Sequence, residues 1–407
     1  MKNSIITFII LFSIALWCGF IGRVTTNEYG GDLLGVKIQD TINISDMLFV
    51  LFLCQLSYII AYVVYKFFLK INFSIKTGVT AVINIKRFSV IMFFILIFHV
   101  VFVLVTGVGK IGSTATNPLS PVFAATNPLG VFFLYYAVSR KYGGKLLFIN
   151  LALFFLLQLS KGWTGFILLI FFIELAHQFS KRNFLEKNRK LVVVLLPVFI
   201  IFGGSYIYQY LYIVKNHIRG FEVTDISYSK ALQLFTDRLT NYSVALGTFA
   251  EKDRIIEQSR SDDLLETKGF FRPISPTSLM PDKNFRTINN SVMLAYFPDY
   301  PLNSSVDVGI FMYSYFLLKS RPLDASFNFI LTSIVLLFLI ITIKILFKGH
   351  YSSNIVIFYI IFYILYTCSG EVIFSSQYLM LFFYIPILLL FNALEFRKKL
   401  IRDESYV

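Results

Sequence analysis

Charged side chains able to do chemistry are few in this chain, and Arg238 is the most suggestive of them. It sits beside a stripe of Tyr228, Leu232, Phe235, Leu239, Tyr242, Leu246 and Phe249. These recur every three or four residues and predict one amphipathic helix, with Asp225 or Ser227 as N-cap and Gly247 near its end. Such a helix lies on a bundle or a bilayer surface. There a guanidinium fork can make paired, charge-assisted bonds to phosphate oxygens, and it never loses its proton. The plainer alternative is a solvated or Asp-paired arginine.

Other candidates surround it in sequence. His217, in Lys215-Asn216-His217-Ile218-Arg219-Gly220, has the chemistry of a general base or part of an anion site, while an ordinary interfacial histidine is the favoured reading. Arg219 and Arg272 are further cations for a phosphate group. Lys161, in Ser160-Lys161-Gly162 between two apolar runs, is either snorkelling or paired with an anion. Asp299 and Asp307 flank a return into an apolar segment and are base candidates. Asp262-Asp263 lacks a third ligand at a fixed offset, and the three cysteines offer no zinc spacing, so no metal site is expected. His99 and Glu174 fall inside predicted helices and are given no catalytic role.

The elements that must hold these residues are membrane helices. Hydrophobic residues make up 57% of the 407 and charged ones only 15%, with a mean hydropathy of +0.71. Water does not tolerate that balance, whereas lipid does. The apolar runs are continuous rather than alternating, which points to helices and not a barrel. Candidate spans lie near 4–21, 46–65, 88–106, 126–139, 146–159, 163–178, 191–213, 306–318, 327–346, 353–367 and 375–394. The first is read as an uncleaved helix, since a small-residue cleavage site is missing.

The net charge of +14 is placed as topology. Basic residues cluster at 66–87, 140–145, 179–190 and 397–402, next to apolar runs, so nucleic-acid binding is rejected and these stretches are expected inside. Eleven spans would put the basic tail outside, so an even number is favoured. The expected fold is therefore an all-α polytopic transmembrane bundle of about 10–12 spans with one large periplasmic loop. Its parts are an N-terminal bundle (1–214), the loop (215–305), C-terminal transmembrane helices (306–394) and a cytoplasmic tail (395–407). The loop carries 11 Lys/Arg and 11 Asp/Glu, so its net charge is zero.

Four features together resemble the O-antigen polymerases of the Wzy type, relatives of the O-antigen ligases. They are the span count with a dominant loop in the second half, the Ser160-Lys161-Gly162 hairpin, the Arg238-Leu239-Thr240-Asn241-Tyr242-Ser243 segment, and the polar run Asn303-Ser304-Ser305-Val306-Asp307-Val308-Gly309 before a helix. Lysine stands where many of that family have arginine in the hairpin. The resemblance implies a multi-pass inner-membrane glycosyltransferase whose substrate is an undecaprenyl-diphosphate-linked oligosaccharide. It implies no metal or other cofactor, a periplasmic active site, and a chain-length regulator (co-polymerase) and a flippase as partners besides the lipid bilayer. Arg238, Asp307 and His217 are then the catalytic candidates, and Lys161, Arg219 and Arg272 the diphosphate contacts. An O-antigen ligase is the nearest alternative, kept open by His217. A flippase or transporter is a further alternative, opposed by the 91-residue loop.

Overall fold

The computed structural model describes residues 2–70, 79–110, 113, 115, 117–142, 144–162, 165–180, 189–218, 225–259, 264–272, 275, 286–300, 304–347, 353–367 and 379–398. Among these, six helices are long and apolar enough to cross a membrane: Asn3–Thr26, Ile44–Lys70, Ile85–Thr106, Ser120–Ser139, Lys190–Val214 and Pro322–Leu346. Each reaches the length of about 20 residues that a span requires. Large apolar side chains such as Phe94, Val105 and Phe199 point outward from them, a surface that suits lipid rather than water. Gly144–Ser160, Phe166–Phe179 and Asn354–Tyr366 are shorter apolar helices.

The chain forms two compact units. The first comprises Met1–Lys66, Glu174–Ile334 and Phe358–Ser375; the second comprises Phe67–Ile173, Val335–Ile357 and Ser376–Val407.

In the first unit, α1 (Lys2–Thr26), α8 (Arg189–Ile218) and α9 (Tyr228–Leu239) pack together. Gly204 of α8 allows the Phe235 ring of α9 to approach within 3.1 Å of where a Cβ would stand. Near the end of α1 the Thr25 and Thr26 hydroxyls donate back to the Ile21 and Gly22 carbonyls, and Asn27 N–H closes on the Arg23 carbonyl. The chain then enters a short loop closed by Tyr29 N–H to Val36 and Ile38 N–H to Asn27. Inside it a single 3-10 turn, Gly31–Leu33, projects Asp32. Asn43 and Asp46 cap α2 (Ile44–Lys70) reciprocally, each side chain accepting from the other's backbone N–H.

The predicted single amphipathic helix is two. Helix α9 begins at Ser227, whose hydroxyl accepts from Lys230 N–H, and ends at Thr240, which is extended. Helix α10 (Tyr242–Ala250) follows after Asn241. A β-branched residue and an asparagine in succession favour a break. Thr240 Oγ1 bonds the Thr236 carbonyl, and Asn241 Nδ2 donates to the Tyr366 carbonyl at 2.9 Å. Residues Tyr242 to Thr248 are buried, so this half does not lie on a surface as the stripe suggested.

The rest of the 215–305 segment holds, among the described residues, α11 (Lys252–Gln258), α12 (Leu265–Phe271) and α13 (Ile288–Tyr296) with short non-helical connections. A buried clasp ties α12 to the turn between α14 (Ile310–Ser320) and α15 (Pro322–Leu346). Asp324 caps α12, accepting from the N–H groups of Glu266 (2.7 Å) and Thr267 (2.8 Å). Glu266 in turn accepts from Ile288 N–H, Tyr313 and Arg321. The span expected at 306–318 is the eleven-residue helix α14, too short to cross alone.

In the second unit, α3 (Ile85–Thr106), α5 (Leu129–Ser139) and α6 (Gly144–Ser160) are joined by a buried polar triad. Asn150 Nδ2 donates to the Ser89 carbonyl and to Tyr135 Oη, and Tyr135 donates to Ser89 Oγ. Such bonds hold helices together where apolar contact gives no preference over lipid.

The elements among the described residues are helical as expected, apart from one pair of short strands. Val79–Ile83 (β1) pairs antiparallel with Leu394–Lys398 (β2), Ala81 opposite Phe396. The expected span 375–394 is helical over Leu379–Leu390 (α17) and ends in this strand. The pairing puts both segments on one side of any membrane, so the chain crosses an even number of times between them.

Candidate functional site

Two consecutive residues of α9 make opposite use of their charge. Asp237 points inward and accepts from Arg23 Nη2 at 3.1 Å, with side-chain exposures of 1% and 0%. Arg23 also donates to Ser243 Oγ at 3.1 Å. Burial pushes the Asp237 carboxyl up, and Arg23 pulls it part of the way back. Arg238, the next residue round the helix, turns outward and donates from Nη1 to Asp32 Oδ1 at 2.8 Å. That pair is open, at 46% and 41% exposure.

Gly30 makes this arrangement possible. A Cβ there would lie 1.8 Å from Asp237 Oδ2 and 2.0 Å from Arg23 Nη1. The bare backbone therefore passes directly over the buried pair and delivers Asp32 to Arg238. Leu33 anchors the same turn against α10, where a Cβ on Gly247 would come within 2.5 Å of Leu33 Cδ1.

Asp307 reaches the same neighbourhood from a distant part of the chain. Its segment is pinned by Val306 N–H to the Asn289 carbonyl (3.2 Å) and by Asn290 Nδ2 to the Ser304 carbonyl (2.9 Å). Gly309, at φ +82°, then packs so closely on Asn241 that a Cβ would sit 2.4 Å from its Nδ2. Asp307 comes within electrostatic reach of Asp32, the partner of Arg238. Burial first, and the Asp32 charge second, push the Asp307 carboxyl up to about 7. The phenols of Tyr363 and Tyr366 lie within electrostatic reach of Asp307, and those of Tyr208 and Tyr366 within reach of Arg238.

The first unit thus gathers a half-exposed guanidinium, its carboxylate partner and a second carboxylate that titrates near neutrality. The cation suits a phosphate group, and Asp307 suits proton acceptance at physiological pH. Nothing in the sequence singles out Asp32 from Glu28, Asp40 and Asp46 nearby. Its partner is 206 residues away, and no local pattern marks such a pair.

The remaining candidates lie elsewhere. His217 is exposed near the end of α8 and, among the described residues, is not bonded to Arg238 or Asp307. It stands nine residues, about 14 Å along the helix axis, beyond Tyr208. Arg272 is the C-cap of α12, the helix held by Asp324. Asp299 is exposed after α13. Arg219 and Asp262-Asp263 lie outside the described residues.

Lys161 belongs to the second unit. Its Nζ stands 4.9 Å from the Phe123 ring centroid, burial holds it down to about 8, and among the described residues no carboxylate pairs with it. Phe123 also packs on His99 at 4.5 Å, and His99 Nε2 meets Thr126 Oγ1 at 3.0 Å. This favours an enclosed lysine over a snorkelling one.

No protein-family model matches the chain, and no curated protein or solved structure matches it.

Proposed function

We propose that this protein polymerises a surface polysaccharide at the outer face of a bacterial inner membrane, from oligosaccharide repeat units carried on undecaprenyl diphosphate. The observation that carries the reading is the half-exposed Arg238 paired with Asp32, with a second carboxylate, Asp307, within electrostatic reach of Asp32. The resemblance of the Arg238 segment and of the polar run ending at Gly309 to Wzy-type polymerases supports it.

In this reading the growing glycan is the donor. A hydroxyl on the non-reducing sugar of the new repeat unit attacks the donor's anomeric carbon. The new C–O bond forms as the bond to the phosphate oxygen breaks, and undecaprenyl diphosphate leaves. Asp307 takes the hydroxyl proton. Arg238 meets the negative charge that grows on the departing diphosphate, where a fixed cation helps most. A flippase delivers the repeat units and a co-polymerase sets the final length.

The test is a strain lacking the gene, complemented with the wild-type, Arg238→Ala or Asp307→Asn form, with its surface glycan run on a gel. The expected result is a full ladder for wild type and a single repeat unit on the acceptor for both variants, at equal protein levels. Long polymer from Arg238→Ala refutes the assignment, and bare acceptor in the deletion strain points to a ligase or flippase instead.

A further inference from the structure

The Gly30–Leu33 turn holds one permanent ion pair and one open ion pair within a few residues of each other. The permanent pair, Arg23 with Asp237, is sealed from solvent. The open pair, Arg238 with Asp32, has nearly half of each side chain in contact with solvent. The backbone that presents Asp32 is nevertheless fixed, by Gly30 lying on the Arg23–Asp237 pair and by Leu33 packing on Gly247. Asp32 is therefore held in place by its backbone and not by its bond to Arg238. An exposed ion pair favours its bound state only severalfold, so a stronger anion displaces it. A diphosphate is such an anion, because it offers more oxygens and more charge than a carboxylate.

We propose that Asp32 is an exchangeable counter-ion for Arg238. It holds the guanidinium while the site is empty, yields it to an arriving diphosphate group, and is left as an unpaired carboxylate beside Asp307. The inference rests on the diphosphate reading above and adds a role for a residue that the reading does not use. It makes Asp32 a positioning residue. Freed of its cation, Asp32 adds more to the negative potential at Asp307, the proton acceptor, than it does while paired.

The test is a binding titration of the purified full-length protein in phosphatidylcholine nanodiscs. Inorganic pyrophosphate and farnesyl diphosphate serve as separate probes. Asp32→Asn should bind pyrophosphate about fivefold tighter than wild type, because the internal competitor is gone. Asp32→Ser should show the same gain, and Arg238→Gln should abolish it in either background. Damage to the fold weakens binding, so a gain in affinity has no such explanation. A lower Kd for farnesyl diphosphate than for pyrophosphate assigns the anion to a lipid carrier, and equal values assign it to a soluble diphosphate. If both Asp32 variants bind no tighter than wild type while Arg238→Gln loses binding, the exchange is wrong and the diphosphate site stands. If Arg238→Gln binds as wild type does, the site reading falls and the exchange with it.

Discussion

Replacing Asp307 with asparagine should make the protein inactive and more stable in the same step. The Asp307 carboxyl is pushed up to about 7 from an ordinary 3.8, by burial and then by the Asp32 charge. Keeping it ionised therefore works against the fold. Between about pH 4 and pH 7 the native protein binds more protons at this position than the unfolded chain does, so stability falls as pH climbs across that window and is level above it. The full difference, at 1.36 kcal/mol per tenfold change in proton affinity, is about 4 kcal/mol. Solvent still reaches part of the side chain, which lowers it to about 2–4 kcal/mol. Asparagine keeps the shape and carries no charge. Thermal unfolding of the detergent-solubilised protein should show Asp307→Asn melting a few degrees above wild type at pH 8, with the gap closing as the pH is lowered to 4. A variant that melts at or below wild type at pH 8, or a gap that ignores pH, would refute the argument. Polymer synthesis by wild-type membranes should show the matching acid limb, rising through about pH 7 as Asp307 ionises.

Arg238→Ala should remove activity while changing unfolding by no more than about 1 kcal/mol, since its pair with Asp32 is exposed. Arg23→Ala should cost about 3–5 kcal/mol by stranding the buried Asp237, and the joint change Arg23→Met with Asp237→Leu should cost much less; paired melts of the three proteins decide this. Gly30→Ala should cost several kcal/mol and also weaken activity, because the added methyl overlaps Asp237 and Arg23; a melt unchanged from wild type counts against the close approach. With the native cysteines replaced, Ala81→Cys and Phe396→Cys should form a disulfide on mild oxidation, visible as a mobility shift on a non-reducing gel.

The long apolar helices were legible because continuous apolar runs have few other uses. Arg238 stood out as a cation beside an apolar stripe, and Asp307 as an acid in a polar run before a helix. What sequence could not show was pairing at a distance. Arg23 looks like any flanking charge at a helix end, and its partner Asp237 is 214 residues on. Asp32 needed the Gly30 turn to bring it to Arg238, and that turn has no meaning until α9 is packed beneath it. The break at Thr240 was hidden because two helices in tandem preserved the three-to-four spacing of their apolar residues. Strand β1 reads locally as an apolar stretch beside basic residues, and only its partner more than 300 positions later makes it a strand.

That late partner has a consequence for biogenesis. A ribosome adding about 5–20 residues per second takes about 15–60 s to travel from β1 to β2. Throughout that interval the sticky, valine-rich sequence at Val79–Ile83 waits with no complement. A nascent chain that stalls before Leu394 leaves this edge without the strand that covers it in the finished protein.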